Sequence, residues 1–549
     1  VYPGYFPFYW DAKSGKIFLE INQFDQEFLY VNALSAGVGS NDIGLDRGQL
    51  GGERVVKFIR SGPKVLLIQP NLDYRAVSDN EEEKKSVAEA FAQSALGGFK
   101  VEVESEGRAL IDLTDFLLRD AHGVANRLRR NRQGNYRPDP SRSVIYLERT
   151  KNFPKNSEFE GMVTFSGEPE GGYIRSVTPS ADAVTVRMHH SFLELPDNNY
   201  EPRVFDPRSG YYPASYQDYA TPIESPLVKR FITRHRLEKK DPNAAMSEPV
   251  EPIVYYLDRG APEPIKSALL EGASWWNQAY EAAGYKNAFR VEVLPEGADP
   301  LDARYNVIQW VHRSTRGWSY GSSVTDPRTG EIIKGHVSLG SLRVRQDFLI
   351  AQGMVEAYLS GKEPSEKMLE LALARLRQLS AHEVGHTLGI SHNFAASTNN
   401  RASVMDYPHP LISIDASGNI TFNDVYDVGI GEWDKRTIMY GYQDFPEGAD
   451  EEAGLLEILN ENNRMGLRYI SDQDARPQSG SHPYAHLWDN GANPAEELGR
   501  VLKVRALAME KFGEHNIPEN APMGTLEEVL APLYFGHRYQ VEAAVKLVG

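Results

Sequence analysis

The first 245 residues contain short runs in which apolar and polar side chains alternate, as they do in half-buried β-strands. Two of these runs, 54–60 and 64–69, flank Ser61-Gly62-Pro63, which favours a tight turn and predicts a hairpin. Helices are predicted at about 81–95 and 113–119. Further strands are predicted at 16–21, 27–31, 143–148, 159–165 and 183–188. This part of the chain is therefore expected to be β-rich.

From residue 253 onward, strands alternate with helices. A strand at 253–257 and a helix at 264–283 are followed by strands at 289–294, 307–311 and 331–342. A long helix is then predicted after Pro364, with Ser365 as its N-cap. Its predicted buried face carries Leu369, Leu373, Leu376 and Leu379. A shorter helix is predicted at 434–440.

Two polar stretches, 238–252 and 443–454, are candidate boundaries. They divide the chain into a β-rich region at 1–245, an α+β region at 246–442 and a mostly helical region at 443–549. In the last region, Asn493-Pro494 and Thr525 are typical of helix starts. The fold class predicted for the whole chain is α+β.

Two near copies, 206–210 and 326–330, each place Pro after Asp and end in Gly, which predicts two hairpin turns. His189 and His190 follow the strand predicted at 183–188. Neighbours in extended chain point to opposite faces, so these two histidines are interpreted as structural.

Composition excludes several classes of function. The net charge of −17 argues against nucleic acid as a partner, because phosphate binding requires a basic surface. No apolar run is long enough to cross a bilayer. The chain has no cysteine, so it has neither disulfides nor thiolate ligands, and a cysteine-based latency mechanism is excluded. The sequence does not indicate an oligomeric state.

The candidate chemistry lies in His382-Glu383-Val384-Gly385-His386. Histidines four apart lie on one face of a helix, so His382 and His386 can bind the same metal ion. Glu383 lies one residue round and can reach a metal-bound water without binding the metal, as a general base must.

Gly389 and His392 complete the pattern H-E-x-x-H-x-x-G-x-x-H. A left-handed helix exit at Gly389 would return the chain so that His392 becomes the third ligand. Three nitrogen ligands leave one coordination position open for water, which distinguishes a catalytic zinc ion from a structural one. The sequence therefore predicts one catalytic Zn²⁺.

With this motif followed by Ser403-Val404-Met405-Asp406-Tyr407-Pro408, the chain resembles the metzincin metallopeptidases. The resemblance implies a metzincin-like catalytic domain with a mixed twisted sheet, a zinc helix and a methionine turn. It makes Met405 the hydrophobic floor of the site and Tyr407 an extra ligand or an oxyanion stabiliser. It also implies that an extended substrate pairs with a sheet edge near 336–341.

Other segments resemble large bacterial zinc-dependent metalloproteases whose N-terminal domain is of unknown function. These segments are 40–48, 431–435, 440–442 and 486–491. This resemblance implies an exported protein, periplasmic or extracellular, that acts on a protein or peptide substrate. The chain begins at Val1 without signal-peptide features, and its end within a helical pattern at 541–549 is expected for a trimmed or processed form. Calcium would suit an exported enzyme, but residues 42–46 are too weak a pattern to predict a calcium site.

Three alternatives to a metzincin-type endopeptidase stay open. A thermolysin-like plan would use Glu432 as the third ligand in place of His392. A binding or scaffold protein could keep zinc for stability, although such a site has no need of Glu383. In a latent protease, residues 1–245 would be inhibitory and an acidic residue would cap the zinc.

Overall fold

The computed structural model describes residues 1–300, 302–358, 364–446 and 448–548. Two sheets dominate it, one of twelve strands from the first part of the chain and one of six strands above the predicted zinc helix. The α+β fold class predicted from the sequence is confirmed. None of the helices in the described residues has the length and apolar character needed to span a membrane.

The first 240 residues are rich in strands, as predicted. Their strands are β1 (Phe8–Asp11), β2 (Lys16–Ile21), β3 (Glu27–Ala36), β4 (Gln49–Ser61), β5 (Lys64–Gln69), β6 (Tyr74–Arg75), β7 (Ser94–Ser105), β8 (Arg108–Asp112), β9 (Gly134–Pro138), β10 (Val144–Ile145), β11 (Lys151–Asn152), β12 (Asn156–Pro169), β13 (Ala183–Leu193), β14 (Pro213–Asp218), β15 (Val228–Ile232) and β16 (Arg234–His235). Their helices are α1 (Glu81–Ala90), α2 (Thr114–Leu117), α3 (Val124–Arg130) and α4 (Gly172–Val177).

The large sheet is antiparallel, with the order β1-β2-β8-β7-β5-β4-β3-β13-β12-β10 and with β9 and β11 also on β12. One face is covered by an aromatic cluster that includes Phe28, Phe58 and Phe192, all almost fully buried. The predicted hairpin is confirmed as β4 and β5, with Gly62 at a φ of 54° in the turn.

Two predictions in this region need correction. The helix predicted at 81–95 ends at Ala90, because Ser94 and Ala95 pair with β5. The strand predicted at 143–148 is only β10, after which 147–149 forms a single 3₁₀ turn. His189 and His190 lie inside β13 rather than after it, and they face opposite sides as predicted.

The second half alternates strands and helices and then becomes helical. Its strands are β17 (Ile253–Leu257), β18 (Phe289–Val293), β19 (Asn306–Val311), β20 (Tyr320–Thr325), β21 (Glu331–Gly340), β22 (Ser413–Ile414) and β23 (Ile420–Thr421). Its helices are α5 (Ile265–Ser274), α6 (Trp276–Ala282), α7 (Leu342–Met354), α8 (Glu366–Thr387), α9 (Glu432–Tyr442), α10 (Glu451–Arg464), α11 (Asp472–Ala475), α12 (Pro494–Glu510), α13 (Thr525–Phe535) and α14 (Arg538–Val545).

The second sheet has the order β16-β21-β19-β17-β18, all parallel, and β20 lies antiparallel on β21. β16 joins it from residues 234–235, ahead of the boundary predicted at 245, so the sheet runs across that position. The three-region division stays a prediction. The sequence did not indicate β20 or α7.

The expected substrate edge at 336–341 is wrong. Residues 336–340 lie in β21, which is paired with β19 on one side along these residues and with β20 on the other side at 336–338. Among the described residues, β20 has no strand partner on its outer side and is therefore the edge strand next to α8.

Only one of the two near-copied turns joins a hairpin. Residues 326–330 connect β20 to β21, as predicted. Residues 206–210 form a turn, but Val204 bridges to Phe231 whereas Tyr211 bridges to Ile390, so no hairpin results. The difference arises because the chain after this turn pairs with the segment that follows α8.

The loop before β4 anchors the N-terminal sheet to the second sheet. The buried carboxylate of Asp46 lies 2.5 Å from Nε of Arg313, and it also accepts a hydrogen bond from Tyr320. The side-chain oxygen of Asn41 accepts a hydrogen bond from the Trp318 backbone, and Asp42 accepts one from Thr315. The acidic residues at 42–46 therefore bind the segment from Arg313 to Tyr320 in this structure.

The long helix α8 begins directly after Ser365, as predicted. Leu376 and Leu379 are buried, but Leu369 is exposed and Leu373 is only partly buried. The buried face in the first turns of α8 instead carries Met368, Leu371 and Ala372, of which Met368 and Leu371 share a hydrophobic cluster with residues of α7 and α12. The predicted face was wrong because α7, absent from the prediction, covers the other side.

Candidate metal centre

Three histidines converge at the C-terminal end of α8. His382 and His386 lie one helical turn apart, and His392 returns to them from the following segment. Nε2 of His386 lies 3.2 Å from Nε2 of His382 and 3.1 Å from Nε2 of His392. In the part of the chain that the structure describes, no other group of three His, Asp or Glu side chains is close enough to share an ion.

Gly389 makes this convergence possible. Its φ of 94° is in the left-handed region, as the sequence predicted for the helix exit. A Cβ at this position would also overlap the carbonyl oxygen of Thr233, so the backbone approaches too closely for any side chain. The next amide, Ile390, donates to the Gly385 carbonyl at 3.1 Å and closes the helix end.

Each histidine is oriented by a hydrogen bond from its outer nitrogen. Nδ1 of His382 lies 2.8 Å from the Val404 carbonyl oxygen, and Nδ1 of His386 lies 2.8 Å from that of Ile390. Nδ1 of His392 lies 2.8 Å from the Asp472 carboxylate. Donation from Nδ1 places the lone pair on Nε2, so all three lone pairs face the common centre.

The electrostatics keep His382 and His386 neutral. Burial, and next the neighbouring imidazoles, lower the pKa of His382 well below its ordinary range. Burial, followed by the proximity of His392, lowers the pKa of His386 to about 3. Three imidazoles that direct their lone pairs to one point are the donor set of a zinc site with an open coordination position. The residues present therefore fit Zn²⁺.

Glu383 lies one residue along α8 from His382 and is 4 % exposed. Burial raises the pKa of its carboxyl group to about 8, although Arg375 and a hydrogen bond from the Gly321 amide act in the opposite direction. Gly321 belongs to the edge strand β20. Glu383 is thus held between the zinc helix and the sheet edge without being one of the converging ligands.

Met405 lies beneath the site and is fully buried. Its sulfur occupies the space that a Cβ on Gly385 would need, so glycine at 385 allows the methionine to pack directly against α8. The turn is held by Asp434 on α9, which accepts hydrogen bonds from Ser403 at 2.6 Å and from the Val404 amide at 2.8 Å. Burial raises the pKa of Asp434 to about 7.

Tyr407 lies against the histidines, with its ring centroid 5.1 Å from that of His382 and 4.7 Å from that of His392. Its hydroxyl accepts a hydrogen bond from Arg476 at 3.2 Å. Arg476 also binds Asp472, so one arginine links the tyrosine to the carboxylate that orients His392. Trp488 stacks on the other side of the Tyr407 ring at 4.9 Å.

The sequence did not indicate four residues that contact the histidines or Tyr407 and hold them in place. Tyr212, whose hydroxyl lies 3.2 Å from Nδ1 of His386, comes from the region assigned to the N-terminal domain. Asp472, Arg476 and Trp488 come from the predicted C-terminal region. They carry no local motif, because they meet the histidines only through tertiary packing. Glu432, the ligand of the thermolysin-like alternative, is not in the triad and pairs with Lys435 at 3.1 Å.

Two family models match parts of this chain. Residues 364–549 match a family model described as Met-zincin, a match that begins just ahead of α8. Residues 48–240 match a model described as a domain of unknown function (DUF5117). No match was found among the curated proteins or among the solved structures.

Proposed function

Since residues 364–549 are a Met-zincin region, we propose that this protein is a zinc-dependent endopeptidase with Glu383 as its general base. The observation that carries the proposal is the combination of three converging imidazoles with the buried carboxylate of Glu383, which lies on the same helix as two of them. A site that only stabilised the fold would need the ligands but not Glu383.

His382, His386 and His392 would hold the zinc, which would lower the pKa of a bound water to ~7 and polarise the scissile carbonyl. Glu383 accepts a proton as water adds to the carbonyl carbon, and then donates it to the departing amine as the C–N bond breaks. Burial gives this carboxyl a pKa of about 8, so it can both accept and donate a proton near neutral pH.

Tyr407 is proposed to donate a hydrogen bond to the oxyanion that develops on the carbonyl oxygen. Its position against His382 and His392 and its hydrogen bond from Arg476 support this role. Burial, followed by the charge of Glu383, raises the pKa of Tyr407, so the hydroxyl keeps its proton. Arg476 serves to position that hydroxyl.

The substrate is proposed to bind as an extended strand along β20. This strand lies next to α8, and its Gly321 amide points at the Glu383 carboxylate. A main chain added at this edge would place a peptide bond close to both the histidines and the base. Export to the periplasm or the extracellular space is proposed from resemblance to bacterial metalloproteases.

The test compares the native protein with Glu383→Gln for metal content and for cleavage of casein. Both proteins should hold about one zinc per chain, because the glutamate is not a ligand. Only the native protein should cleave, and we expect a loss of ~1,000-fold or more in Glu383→Gln. Glu432→Gln is the matched control, since this half-exposed glutamate lies on α9 and should keep full activity.

The competing readings predict different results. A zinc scaffold would keep its function in Glu383→Gln, and neither protein would cleave casein. A latent protease would cleave only after removal of its inhibitory region. No carboxylate among the described residues joins the three imidazoles, so the structure does not support the acidic cap expected for that form.

A further inference from the structure

A cavity of about 490 Å³ lies next to the candidate metal centre, and the ring of Trp488 separates it from Tyr407. It is enclosed by α7, by the start of α14 and by the chain that follows the methionine turn. Trp488 forms part of its wall and stacks on Tyr407, which in turn contacts His392. We name it the arginine cavity, because Arg316, Arg343 and Arg538 line it.

The arginine cavity is positive in a chain whose net charge is −17. Only one of its lining residues, Glu528, is acidic. Arg343 is paired with the buried Asp347 at 2.9 Å. Arg316 and Arg538 form no ion pair with any described residue, and their hydrogen-bond partners are the uncharged Gln346 and Tyr539.

Neighbouring groups confirm the positive potential. Burial, followed by the guanidinium of Arg343, lowers the pKa of Arg316. Burial together with nearby arginines lowers the pKa of His409, which lines the cavity, to about 4, so this histidine adds no charge of its own. Behind Trp488, Arg375 is 3 % exposed and leaves its Nε and Nη1 without a hydrogen-bond acceptor among the described residues.

The rest of the wall is apolar. The methylene groups of a bound substrate side chain can be covered by apolar residues of this wall, namely Leu349, Ile350, Pro532 and Phe535. An apolar sleeve with a few charged groups is the usual construction of a side-chain pocket. Guanidinium groups that lack carboxylate partners are the groups that recognise a carboxylate.

Resting on the proposed endopeptidase function, we propose that the arginine cavity is a specificity pocket that binds an acidic side chain, Glu or Asp, close to the scissile bond. Arg316 and Arg538 supply the rim that binds the carboxylate. Trp488 forms the wall shared with the metal centre. An uncharged amide of the same shape offers one acceptor oxygen and no negative charge, so its hydrogen bonds to the arginines are fewer and weaker, and the pocket discriminates Glu from Gln.

The first experiment digests a proteome-derived peptide library with the native zinc-loaded protein and identifies the cut sites by mass spectrometry. We expect enrichment of Glu and Asp at one position within three residues of the cut. Matched peptides with Glu or Gln at that position should then differ by about tenfold or more in kcat/KM. Preference for a large apolar residue at every position, or no preference, overturns the inference.

The second experiment removes the rim charges in Arg316→Gln/Arg538→Gln. The Glu-to-Gln ratio of kcat/KM should fall towards one. Arg316→Lys/Arg538→Lys keeps the charge and should recover part of the ratio. Arg464→Gln, which removes an exposed arginine paired with Glu457 on α10, should leave the ratio unchanged.

Added salt gives an independent readout. Both rim arginines are exposed, so raising NaCl from 0.05 to 0.5 M should reduce the Glu preference of the native protein and leave cleavage of the Gln peptide little changed. A Glu preference that persists in Arg316→Gln/Arg538→Gln overturns the assignment. If the native protein binds zinc and cleaves without acidic preference, only the pocket inference fails. If it cleaves nothing, the proposed function fails and the pocket inference falls with it.

Discussion

Two buried clusters of titratable side chains, one at the metal centre and one in the N-terminal sheet, shift the pKa values of their histidines in opposite directions. At the end of α8, His382, His386 and His392 point their Nε2 atoms at one another, and burial and mutual proximity keep the first two neutral. In the N-terminal sheet, His189 lies between two carboxylates, 2.5 Å from Glu158 and 3.2 Å from Glu160. Burial opposes a charge there, but the hydrogen bonds to these glutamates raise the pKa of His189 to about 9.

The difference depends on where the carboxylates lie. Glu158 and Glu160 bind both nitrogens of His189, which leaves no lone pair for a metal. At the metal centre, the carboxylate of Asp472 contacts the outer Nδ1 of His392 and leaves Nε2 facing inward. A histidine with a carboxylate at both ring nitrogens forms ion pairs, whereas a histidine with a carboxylate only at Nδ1 keeps Nε2 free to bind a metal.

The largest expected effect comes from removing one histidine of each cluster. His386→Ala should lose zinc binding and reduce cleavage by ~1,000-fold or more, because two ligands hold the ion poorly. His189→Ala should lower thermal stability yet keep about one zinc per chain. Metal analysis with a casein assay on both variants checks this. Zinc retained by His386→Ala, or lost from a folded His189→Ala, would break the comparison.

A smaller effect is expected when the outer carboxylate is neutralised. Asp472→Asn keeps the shape of the side chain but weakens the hydrogen bond that orients His392, so zinc affinity should fall by ~10- to 100-fold. Competition against a chelator of known affinity measures this directly. Asp474→Asn, two residues along on α11, is the control and should bind zinc like the native protein. Equal affinity in both variants would show that Asp472 does not support the site.

The smallest effect concerns the pH dependence of the N-terminal cluster. The pKa of His189 is about 9 when folded and about 6.5 when unfolded, so its stabilisation is complete below pH 6.5 and is lost as the pH rises towards 9. Between pH 6.5 and 8 this loss should be about 1–2 kcal/mol of unfolding free energy. Glu158→Gln lowers the folded pKa of His189 and should flatten the decrease.

Thermal unfolding midpoints at several pH values, for the native protein and for Glu158→Gln, measure that difference. Other buried groups titrate in the same window, but they contribute to both proteins and cancel in the comparison. Parallel curves for the two proteins would contradict the charged state assigned to His189.

Local signals predicted much of the fold and the chemical core of the site. Ser365 directly precedes α8 and Gly389 forms its left-handed exit, because helix starts and positive φ depend on single residues and their near neighbours. Asn493 caps α12 with its side chain for the same reason, accepting hydrogen bonds from the amides of Ala495 and Glu496. In contrast, Thr525 is already the first residue of α13.

The errors occur where distant segments decide the outcome. Leu369 is exposed because α7 and α12 pack on a different face of α8 than its leucines suggested. Residues 94 and 95 leave the predicted helix because β5 offers them backbone partners. Residues 336–338 are not an edge because β20 pairs with them.

The sequence by itself determined how His382, Glu383, His386 and His392 are placed relative to one another. A helix and a glycine at its end are enough to bring residues with this spacing together. The surroundings of those side chains are a product of tertiary structure alone. Tyr212 arrives from β-rich sequence before the site, and Asp472, Arg476 and Trp488 arrive from helical sequence after it. Hydrogen bonds between segments so far apart leave no local pattern, so only the packed fold decides which histidines are neutral ligands and which are ion pairs.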